Sequence, residues 1–471
     1  MPSLPPRFFA FLVLATLPAA AQTPPLAQEP AAKDRPNFLF IVADDLATRL
    51  GCYGDPAAVS PNLDRLAREG LLFERAYCQG VVCTPSRTSF MLGLNNKHAK
   101  PNHFIKHPET MTLGRWMRTH GYQTCSIGKL DHDDPKDAYV DPKGWDVRVK
   151  REDIKLPVKP KQLTPIHEDL GLQRKNISFI GVQDTAEATT DGMRAERALQ
   201  FLKTERDPSK PFFLAVGFHS PHVPWDSTRE CTDKHHKTEF ALEKTPATVT
   251  PLPPGSLMHE PGLELSAPLQ RTAQKGYYAA VTFLDQQVGR LLDALDQMGL
   301  GKNTVVVFTS DHGYHLGWRG QWCKHSLDEQ VLRVPLIVRK PGAPTGQRAK
   351  GFVELLDLFP SFCGFAQIPA PDTLDGRSFV PMVLDPSAPG KEAAFCWSGN
   401  GRTVRTSRWR LVERTDGSRE LYDHESDPQE FFSVADAPKN TAVLGELHSL
   451  LEKEFGPLPR KSAQPAAAKS E

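Results

Sequence analysis

The stretch "NFLFIVADD" at residues 37–45 decides the fold class, because it is a short continuous apolar run that ends in two adjacent aspartates. A run of this length and composition is typical of a strand that is buried on both faces. Similar apolar runs recur at residues 123–130, 211–219, 304–313 and 334–342. Helical patterns lie between these runs, at residues 112–121, 189–205 and 277–299. The alternation predicts an α/β fold, with a large, mostly parallel (mixed) sheet sandwiched by helices.

The pattern changes after about residue 374. Residues 402–414 and 417–430 meet at the turn "TDG" and are typical of antiparallel hairpins. A final helical pattern follows at residues 441–455. The sequence therefore predicts a larger domain at residues 36–374, a smaller antiparallel-sheet subdomain at residues 375–456, and a flexible tail at residues 457–471.

The N-terminus is typical of a secretory signal peptide. Arg7 precedes an apolar run at residues 8–17, and Ala19 to Ala21 form a small-residue cleavage site. The apolar run is too short to span a bilayer. We therefore expect a signal peptide at residues 1–21 and a flexible lead-in at residues 22–35. The mature protein is expected to be exported, either periplasmic or secreted, without a membrane span.

Charge and cysteine content argue against several classes of protein. The formal net charge is +1, so no overall field favours nucleic acid or an anionic membrane. The 8 cysteines are scattered and include no C-x-x-C pair, which argues against a zinc ribbon and a dense disulfide scaffold. Recognition of an anion must therefore come from a local cluster of side chains.

Polar side chains follow four of the five predicted strands, at the point where each strand ends. They are Asp44 and Asp45, then Lys129 with His132 just beyond, then His219 to His222, and last Asp311 and His312. In open α/β sheets, ligands bind outside the carboxyl ends of the strands. If these strands are parallel neighbours, all four sets of side chains project into one crevice.

The acidic members of this set suggest a divalent cation. Asp44 and Asp45 repel each other at a strand end unless a cation lies between them, and Asp311 and His312 add a carboxylate and an imidazole. Such an oxygen-rich set favours Ca²⁺ or Mg²⁺, whereas Zn²⁺ takes more histidine or cysteine. The alternative is that Asp45 caps the next helix and that no metal is bound.

The basic members of the set suggest an anionic ligand. The candidates to hold it are Arg87, Lys129, His132, His222 and Lys324. A cysteine, Cys83, precedes Arg87 in "VCTPSR", yet an ordinary cysteine fits this site poorly. Thiolate is a soft ligand for a hard cation, and neighbouring carboxylates disfavour the thiolate form that a nucleophile needs.

The stretch "CTPSR" at residues 83–87 resembles the signature of the type I sulfatases, in which this cysteine is oxidised to Cα-formylglycine before export. The other motifs follow in the family's order: "ADD" (43–45), "GKLDH" (128–132), "GFHSPHVPW" (217–225), "SDHGYHLG" (310–317), "QWCKHS" (321–326) and "LYDHESDPQE" (421–430). The "GKLDH" and "HSPH" stretches are similar to the iduronate-2-sulfatase-like branch. The resemblance implies an alkaline-phosphatase-like fold.

The resemblance also implies a cofactor and a set of site residues. The metal, similar to the family's Ca²⁺ with Mg²⁺ as the weaker candidate, would be bound by Asp44, Asp45, Asp311, His312 and an oxygen of residue 83. The hydrated aldehyde made from Cys83 would attack sulfur. Arg87, Lys129 and Lys324 would balance the charge of the sulfate. His222 would protonate the leaving alcohol, and His132 would assist the release of sulfate.

The resemblance further implies a substrate class and a partner. Sulfated carbohydrates, such as a glycosaminoglycan or another sulfated polysaccharide, would be the substrate, and a formylglycine-generating maturase would act before export. Two positions depart from the family pattern, Asp133-Asp134 after "GKLDH" and Trp318 after "HLG", and both are expected near the substrate. Two other functions stay open: phosphate or phosphonate ester hydrolysis on the same scaffold, and non-catalytic binding of sulfated glycans.

Overall fold

The computed structural model describes residues 35–99, 109–131, 141, 143–165, 179–253, 256 and 265–459. The predicted signal peptide, most of the lead-in, nearly all of the predicted tail, His132 and Asp133-Asp134 lie outside the described residues. Within the described part of the chain, no helix is both long and apolar enough to cross a membrane.

The strands form one large sheet and three small ones. Their bounds are β1 Asn37–Ala43, β2 Leu71–Tyr77, β3 Gln123–Gly128, β4 Val147–Val149, β5 Thr164–Pro165, β6 Phe179–Gln183, β7 Phe212–Gly217, β8 Trp225–Thr228, β9 Thr304–Ser310, β10 His315–Leu316, β11 Trp322–Cys323, β12 Arg333–Arg339, β13 Gln347–Glu354, β14 Ala393–Ser398, β15 Gly401–Thr406, β16 Trp409–Arg414 and β17 Arg419–Asp423. The large sheet has the order β13-β2-β12-β9-β1-β7-β3-β4.

The four strands with polar ends are parallel neighbours at the centre of this sheet. β1 pairs with β9 on one side and with β7 on the other, and β7 pairs with β3. The register aligns Val42 with both Gly217 and Thr309, so the carboxyl ends lie level. β12 runs antiparallel to β9 and to β2, which makes the sheet mixed. The predicted fold class is confirmed.

Helices cover both faces of the large sheet. Among the described residues, the α-helices of the whole fold, including the last one outside this sheet, are Pro61–Glu69, Cys83–Leu92, Leu113–Thr119, Thr190–Gln200, Arg229–Lys234, Ala267–Gln297, Glu329–Leu332, Leu358–Ala366, Val380–Leu384 and Thr441–Phe455. Alternate residues of β1 enter two separate cores: Leu39 and Ile41 pack on the side of Ala267–Gln297, and Phe38 and Phe40 pack on the side of Leu358–Ala366. Burial on both faces explains the continuous apolar run in the sequence.

The C-terminal sheet has the antiparallel order β14-β15-β16-β17 and its own small core. Leu447 and Leu451 of the last helix pack there against β15 and β16. Phe379 and Met382, which lie beyond the predicted boundary at residue 374, pack instead into the core of the large sheet. The separate C-terminal core begins with Ala393.

Candidate active site

The carboxyl ends of the four central strands meet at one edge of the large sheet. Asp44 and Asp45 follow β1, Asp311 and His312 follow β9, Lys129 follows β3, and the loop at residues 219–222 follows β7. Arg87 and Cys83 enter the same site from the helix Cys83–Leu92, and Lys324 enters from the end of β11. The structure therefore brings together every described residue that the sequence predicted for the site.

The thiol of Cys83 lies at the centre of this cluster, at the first residue of its helix. Its Sγ is 3.3 Å from Asp44 Oδ1, 3.3 Å from Lys324 Nζ, 3.4 Å from His312 Nε2 and 3.6 Å from Lys129 Nζ. The residue is only 6% exposed. One carboxylate, one imidazole and two lysine ammonium groups therefore surround the buried sulfur.

The surroundings of Cys83 keep its thiol protonated. Burial and the charge of Asp44 raise the pKa of Cys83 to about 12, although Lys129 and Lys324 oppose them. The thiolate is the nucleophilic form of cysteine. An unmodified Cys83 is therefore a poor nucleophile at neutral pH.

A group of four side chains offers ligand atoms for a cation. Atoms of Asp44, Asp45, Cys83 and His312 all lie within 4.8 Å of one another. Asp45 has a left-handed backbone, with φ 63°, and its carbonyl accepts a hydrogen bond of 2.8 Å from the hydroxyl of Tyr277. Its Oδ2 is buried and accepts no hydrogen bond, which is costly for a carboxylate oxygen. This orphaned oxygen and the two adjacent carboxylates fit a divalent cation, whereas the thiol of Cys83 is the soft member of the set.

Both adjacent aspartates are ionised. Burial alone would raise the pKa of Asp44, but Lys129, His222 and Arg87 outweigh it and hold that pKa well below the usual value. Burial likewise opposes ionisation of Asp45, and His222 and Lys324 lower its pKa. The site therefore presents carboxylates, which are the forms that bind a hard cation.

His312 presents one nitrogen to the site. Its Nδ1–H donates to the carbonyl of Gly313 at 3.0 Å, which leaves the Nε2 lone pair directed at Cys83 Sγ. Burial lowers the pKa of His312, so the ring is neutral, as a metal ligand must be. Asp311 lies beside it, with its Oδ2 3.6 Å from His312 Nε2.

Arg87 binds the ends of three strands. Its Nε donates to Asp311 Oδ2 at 2.8 Å, and its Nη2 donates to the carbonyl of Ala43 at 3.2 Å. Its Nη1 donates to the carbonyl of Lys129. The guanidinium is buried and its described contacts are all to protein, so it holds Asp311 and the strand ends in place. The predicted contact between Arg87 and sulfate stays a prediction.

Lys324 is presented by a strained turn. Cys323 and His325 on either side of it both have left-handed backbones, with φ 77° and 82°. Non-glycine residues in this region cost about 1 to 3 kcal/mol each and cluster at functional sites. Burial opposes the charge of Lys324, but Asp45 and Cys83 raise its pKa well above the usual value. The turn therefore holds a permanent cation against the candidate metal ligands.

His222 is a partly exposed imidazole at the site. Its side chain is 21% exposed, and its Nε2 lies 3.8 Å from Asp45 Oδ2. Its Nδ1 lies 2.6 Å from the carbonyl of Val223 and donates to it, which directs Nε2 into the site. The ring of His219 lies behind it, with the centroids 4.5 Å apart. His222 is thus placed where it can meet the departing part of a substrate.

Two residues that the sequence did not suggest support the site. The hydroxyl of Tyr277 donates to the carbonyl of Asp45 and accepts from the backbone N–H of Ala47 at 3.1 Å. Asp191 accepts the backbone N–H groups of the loop that carries His222. Both lie within ordinary helical patterns of the sequence, at residues 277–299 and 189–205, so no local signal marks them.

Trp318 departs from the family pattern, is almost fully buried, and lines a cavity that Lys324 also lines. Its buried ring stacks on His315, with centroids 5.0 Å apart, and its Nε1 donates to the carbonyl of Gln429 at 2.7 Å. The neighbouring Arg319 donates to the carbonyl of Glu430 at 3.1 Å. Trp318 therefore contacts the C-terminal subdomain beside the turn that carries Lys324, and its expected position near the substrate stays a prediction.

The sequence matches two family models. The model named Sulfatase covers residues 36–368, and the model of the N-sulphoglucosamine sulphohydrolase C-terminal region covers residues 317–455. Iduronate 2-sulfatase of Mus musculus is 32% identical over 404 residues, which span 75% of this chain and 72% of that protein. A sulfatase of Formosa agariphila is 28% identical over 470 residues, 94% of this chain and 91% of that protein.

Solved structures share the fold. A protein in complex with its substrate D-glucosamine-2-N,6-O-disulfate superposes with a TM-score of 0.69 at 21% identity, covering 90% of this chain and 98% of that one. A phosphonate monoester hydrolase from Silicibacter pomeroyi superposes with a TM-score of 0.72 at 22% identity, covering 89% and 95%. The fold is thus common to enzymes that act on different esters.

The sheet topology gives the fold, and the Sulfatase family model, which covers residues 36–368, gives the class of enzyme. The chain belongs to the sulfatase family and is a sulfuric ester hydrolase. The predicted resemblance to the iduronate-2-sulfatase-like branch is confirmed.

Proposed function

We propose that this chain is an exported, formylglycine-dependent and calcium-dependent sulfatase that acts on sulfated carbohydrates. The observation that carries the proposal is the ring of side chains around the buried sulfur of Cys83, in which Asp44, His312, Lys129 and Lys324 all lie within 3.6 Å of Sγ. A thiol that stays protonated has little use at such a centre, whereas an oxygen nucleophile at the same position suits it.

The charges of the cluster suit a dication and then a sulfate. Asp44, Asp45 and Asp311 carry three negative charges, and Arg87, Lys129 and Lys324 carry three positive ones. A divalent ion would leave the site with a net positive charge that attracts the anionic sulfate ester. Asp44, Asp45, Asp311, His312 and residue 83 would hold the ion, and an oxygen-rich set favours Ca²⁺ over Mg²⁺ because Ca²⁺ accepts more ligands in flexible geometry.

Each group supplies a distinct part of the chemistry. The hydrated aldehyde at residue 83 would offer one hydroxyl to attack sulfur and a second that loses its proton when sulfate is released, and the bound cation would polarise the oxygens around it. Lys129 and Lys324 stand on either side of residue 83 and would stabilise the charge that grows on the sulfate oxygens.

His222 would donate the proton that the leaving alcohol needs. Its Nε2 faces the site at 3.8 Å from Asp45 Oδ2, and its side chain is partly exposed, so it can reach a bound ester. His132, which lies outside the described residues, would assist the release of sulfate.

The relatives support a carbohydrate substrate. The names of similar proteins include iduronate 2-sulfatase and an ulvan-active sulfatase of Formosa agariphila, which is 25% identical over 450 residues, 90% of this chain and 82% of that protein. The predicted signal peptide supports export, and a formylglycine-generating maturase would be the partner that acts first. The catalytic domain would span residues 36–374 and the C-terminal subdomain residues 375–456.

The mass of the tryptic peptide at residues 76–87, "AYCQGVVCTPSR", tests the proposal directly. The protein is made together with a maturase, and fragment ions locate the change. We expect an aldehyde at residue 83 and an intact thiol at Cys78, which lies in the same peptide and serves as the internal control. Two thiols, in cells that convert a known sulfatase, would contradict the formylglycine proposal.

Phosphonate or phosphate ester hydrolysis is the second candidate, because phosphonate monoester hydrolases share the fold at a TM-score of 0.72. Matched sulfate, phosphate and phosphonate esters of one alcohol separate the two activities. We expect the sulfate ester to have the highest kcat/KM, since the described residues of the candidate site offer one cluster of metal ligands rather than the two that paired metals, common in phosphatases, would need.

A further inference from the structure

The carboxylate of Asp191 anchors the loop that carries His222. Its Oδ1 accepts the backbone N–H of His219 at 2.9 Å, and its Oδ2 accepts the backbone N–H of Ser220 at 2.7 Å. Asp191 is the second residue of the helix Thr190–Gln200 and is only 4% exposed. A charged acceptor buried beneath two consecutive N–H groups makes stronger bonds than a neutral one.

Arg194 neutralises this buried carboxylate and touches a second part of the site. Its Nη1 donates to Asp191 Oδ1 at 2.9 Å. Its side chain packs against Gly128, where an added Cβ would lie 2.4 Å from Arg194 Nε. Gly128 directly precedes Lys129, so the pair of Asp191 and Arg194 lies beneath the ends of both β7 and β3.

The anchored loop is hydrogen-bonded to two functional residues. The carbonyl of Ser220 accepts the backbone N–H of Asp44 at 3.4 Å. The carbonyl of His219 accepts the backbone N–H of His222 at 2.8 Å. Both residues bonded to the Asp191 carboxylate are therefore themselves bonded to a residue of the site.

We propose that Asp191 is a positioning residue for proton donation by His222. The inference rests on the proposed function, in which His222 protonates the leaving alcohol. Without the carboxylate, the N–H groups of His219 and Ser220 lose their acceptor while they remain buried. The loop then relaxes, and Nε2 of His222 moves away from the leaving oxygen although the ring itself is intact.

Leaving-group dependence tests this role. 4-Nitrophenolate leaves without being protonated, whereas an alkyl alcohol needs a proton, and general acid catalysis contributes about 100- to 10,000-fold. We expect Asp191→Asn, in the formylglycine-bearing, metal-loaded enzyme, to lower kcat/KM for an alkyl sulfate about 10- to 100-fold and for 4-nitrophenyl sulfate less than threefold. His222→Gln should show the same selectivity, and the double variant should be no worse than His222→Gln alone.

Asp285 offers a matched control. It is 1% exposed and accepts the backbone N–H groups of Asn62 and Leu63, at 3.0 and 2.8 Å, at the start of another helix. Asp285→Asn should therefore cost stability without changing the ratio between the alkyl and aryl esters. Equal losses on both esters in Asp191→Asn would overturn the proposal.

Hydrogen exchange gives a readout that does not need activity. We expect the amides of residues 218–220, 222 and 223 to exchange at least tenfold faster in Asp191→Asn than in the wild type, and to be unchanged in Asp285→Asn. If Asp191→Asn does not fold, Arg194→Lys should shift both the exchange and the ester ratio in the same direction. Unchanged exchange in a folded variant would overturn the anchoring. A wild-type enzyme that is inactive on every sulfate ester would instead contradict the proposed function, and the exchange result would still decide the anchoring.

Discussion

Lys324 Nζ lies 2.6 Å from Asp45 Oδ1, so a lysine is paired with a carboxylate 279 residues earlier in the chain. The same ammonium lies 3.3 Å from Cys83 Sγ. It therefore contacts both a candidate metal ligand and the candidate nucleophile. We expect its charge to be needed for catalysis more than for folding.

Lys324→Met should lower kcat/KM by about 100- to 1,000-fold, because it removes a preorganised cation from the developing charge. Because Lys324 contacts both Asp45 and residue 83, its loss should weaken substrate binding as well as the chemical step. The effect should therefore appear in both KM and kcat. Steady-state kinetics on one sulfate ester measure both. Lys302→Met, in an exposed turn, is the matched control and should be unchanged. A Lys324→Met enzyme within threefold of the wild type would contradict the assignment.

Cys83→Ser should stop after one turnover. Serine carries one hydroxyl, so it can accept sulfate but lacks the second hydroxyl through which the sulfate is released. We expect an intact mass increased by one sulfate group and no multiple turnover. Cys83→Ala has no acceptor and should show neither. Full multiple-turnover activity of Cys83→Ser would refute the formylglycine mechanism.

Removal of metal should abolish activity and lower the melting temperature. An ion that binds only the folded chain at 100 times its Kd stabilises it by about 2.7 kcal/mol. We expect elemental analysis to find one divalent ion per chain. Added Ca²⁺ should restore the activity of the dialysed enzyme at a lower concentration than added Mg²⁺. Asp45→Asn should not retain the ion, whereas Asp293→Asn, on the surface, should retain it. Full activity after exhaustive chelation would contradict the metal site.

The contact between the large sheet and the C-terminal sheet should weaken in acid, because it includes an ion pair of Glu329. Glu329 pairs with Arg410 at 2.6 Å. Burial opposes its ionisation, but Arg410 and Arg405 hold the pKa of Glu329 below its usual value. A lowered pKa contributes stability that is present above the unfolded value, about 4.3, and is lost as the pH falls toward the folded value.

Glu329→Gln should therefore lose less free energy of unfolding between pH 6 and pH 3 than the wild type does, although it is less stable at pH 6. Urea unfolding at a series of pH values measures this difference. Glu425→Gln, whose side chain is 67% exposed, should follow the wild-type curve. Parallel curves for Glu329→Gln and the wild type would show that the ion pair carries no pH dependence.

The sequence predicted the centre of the fold better than its flank. Every central strand is a continuous apolar run, because both faces are buried. β2 was missed because "LLFERAY" includes Glu74 and Arg75, and these charges find partners in Arg348 and the ring of Phe352. β13 was missed because an edge strand is half exposed and reads as polar. Charged residues within a strand are stabilised by partners on other strands, which a local sequence pattern does not reveal.

The same limit applies to the site. The positions of Asp44, Lys129 and Asp311 were predicted, because each follows an apolar run that is visible in the sequence. Asp191 was not visible, because it acts on a loop that lies 28 residues further along the chain. Trp318 stood out in the sequence only because it departs from the family pattern. Its contact with Gln429 depends on how the C-terminal subdomain packs against the larger domain.

The burial of Cys83 sets a time limit on its oxidation. The groups that enclose its sulfur, Lys129, His312 and Lys324, lie 46, 229 and 241 residues further along the chain. At ordinary rates of synthesis, the last of them emerges roughly 12 to 50 s after residue 83. Any enzyme that oxidises this thiol must reach it within that interval or while the finished chain is still unfolded. Slow, long-range closure of the sheet would then keep residue 83 accessible long enough for the proposed oxidation.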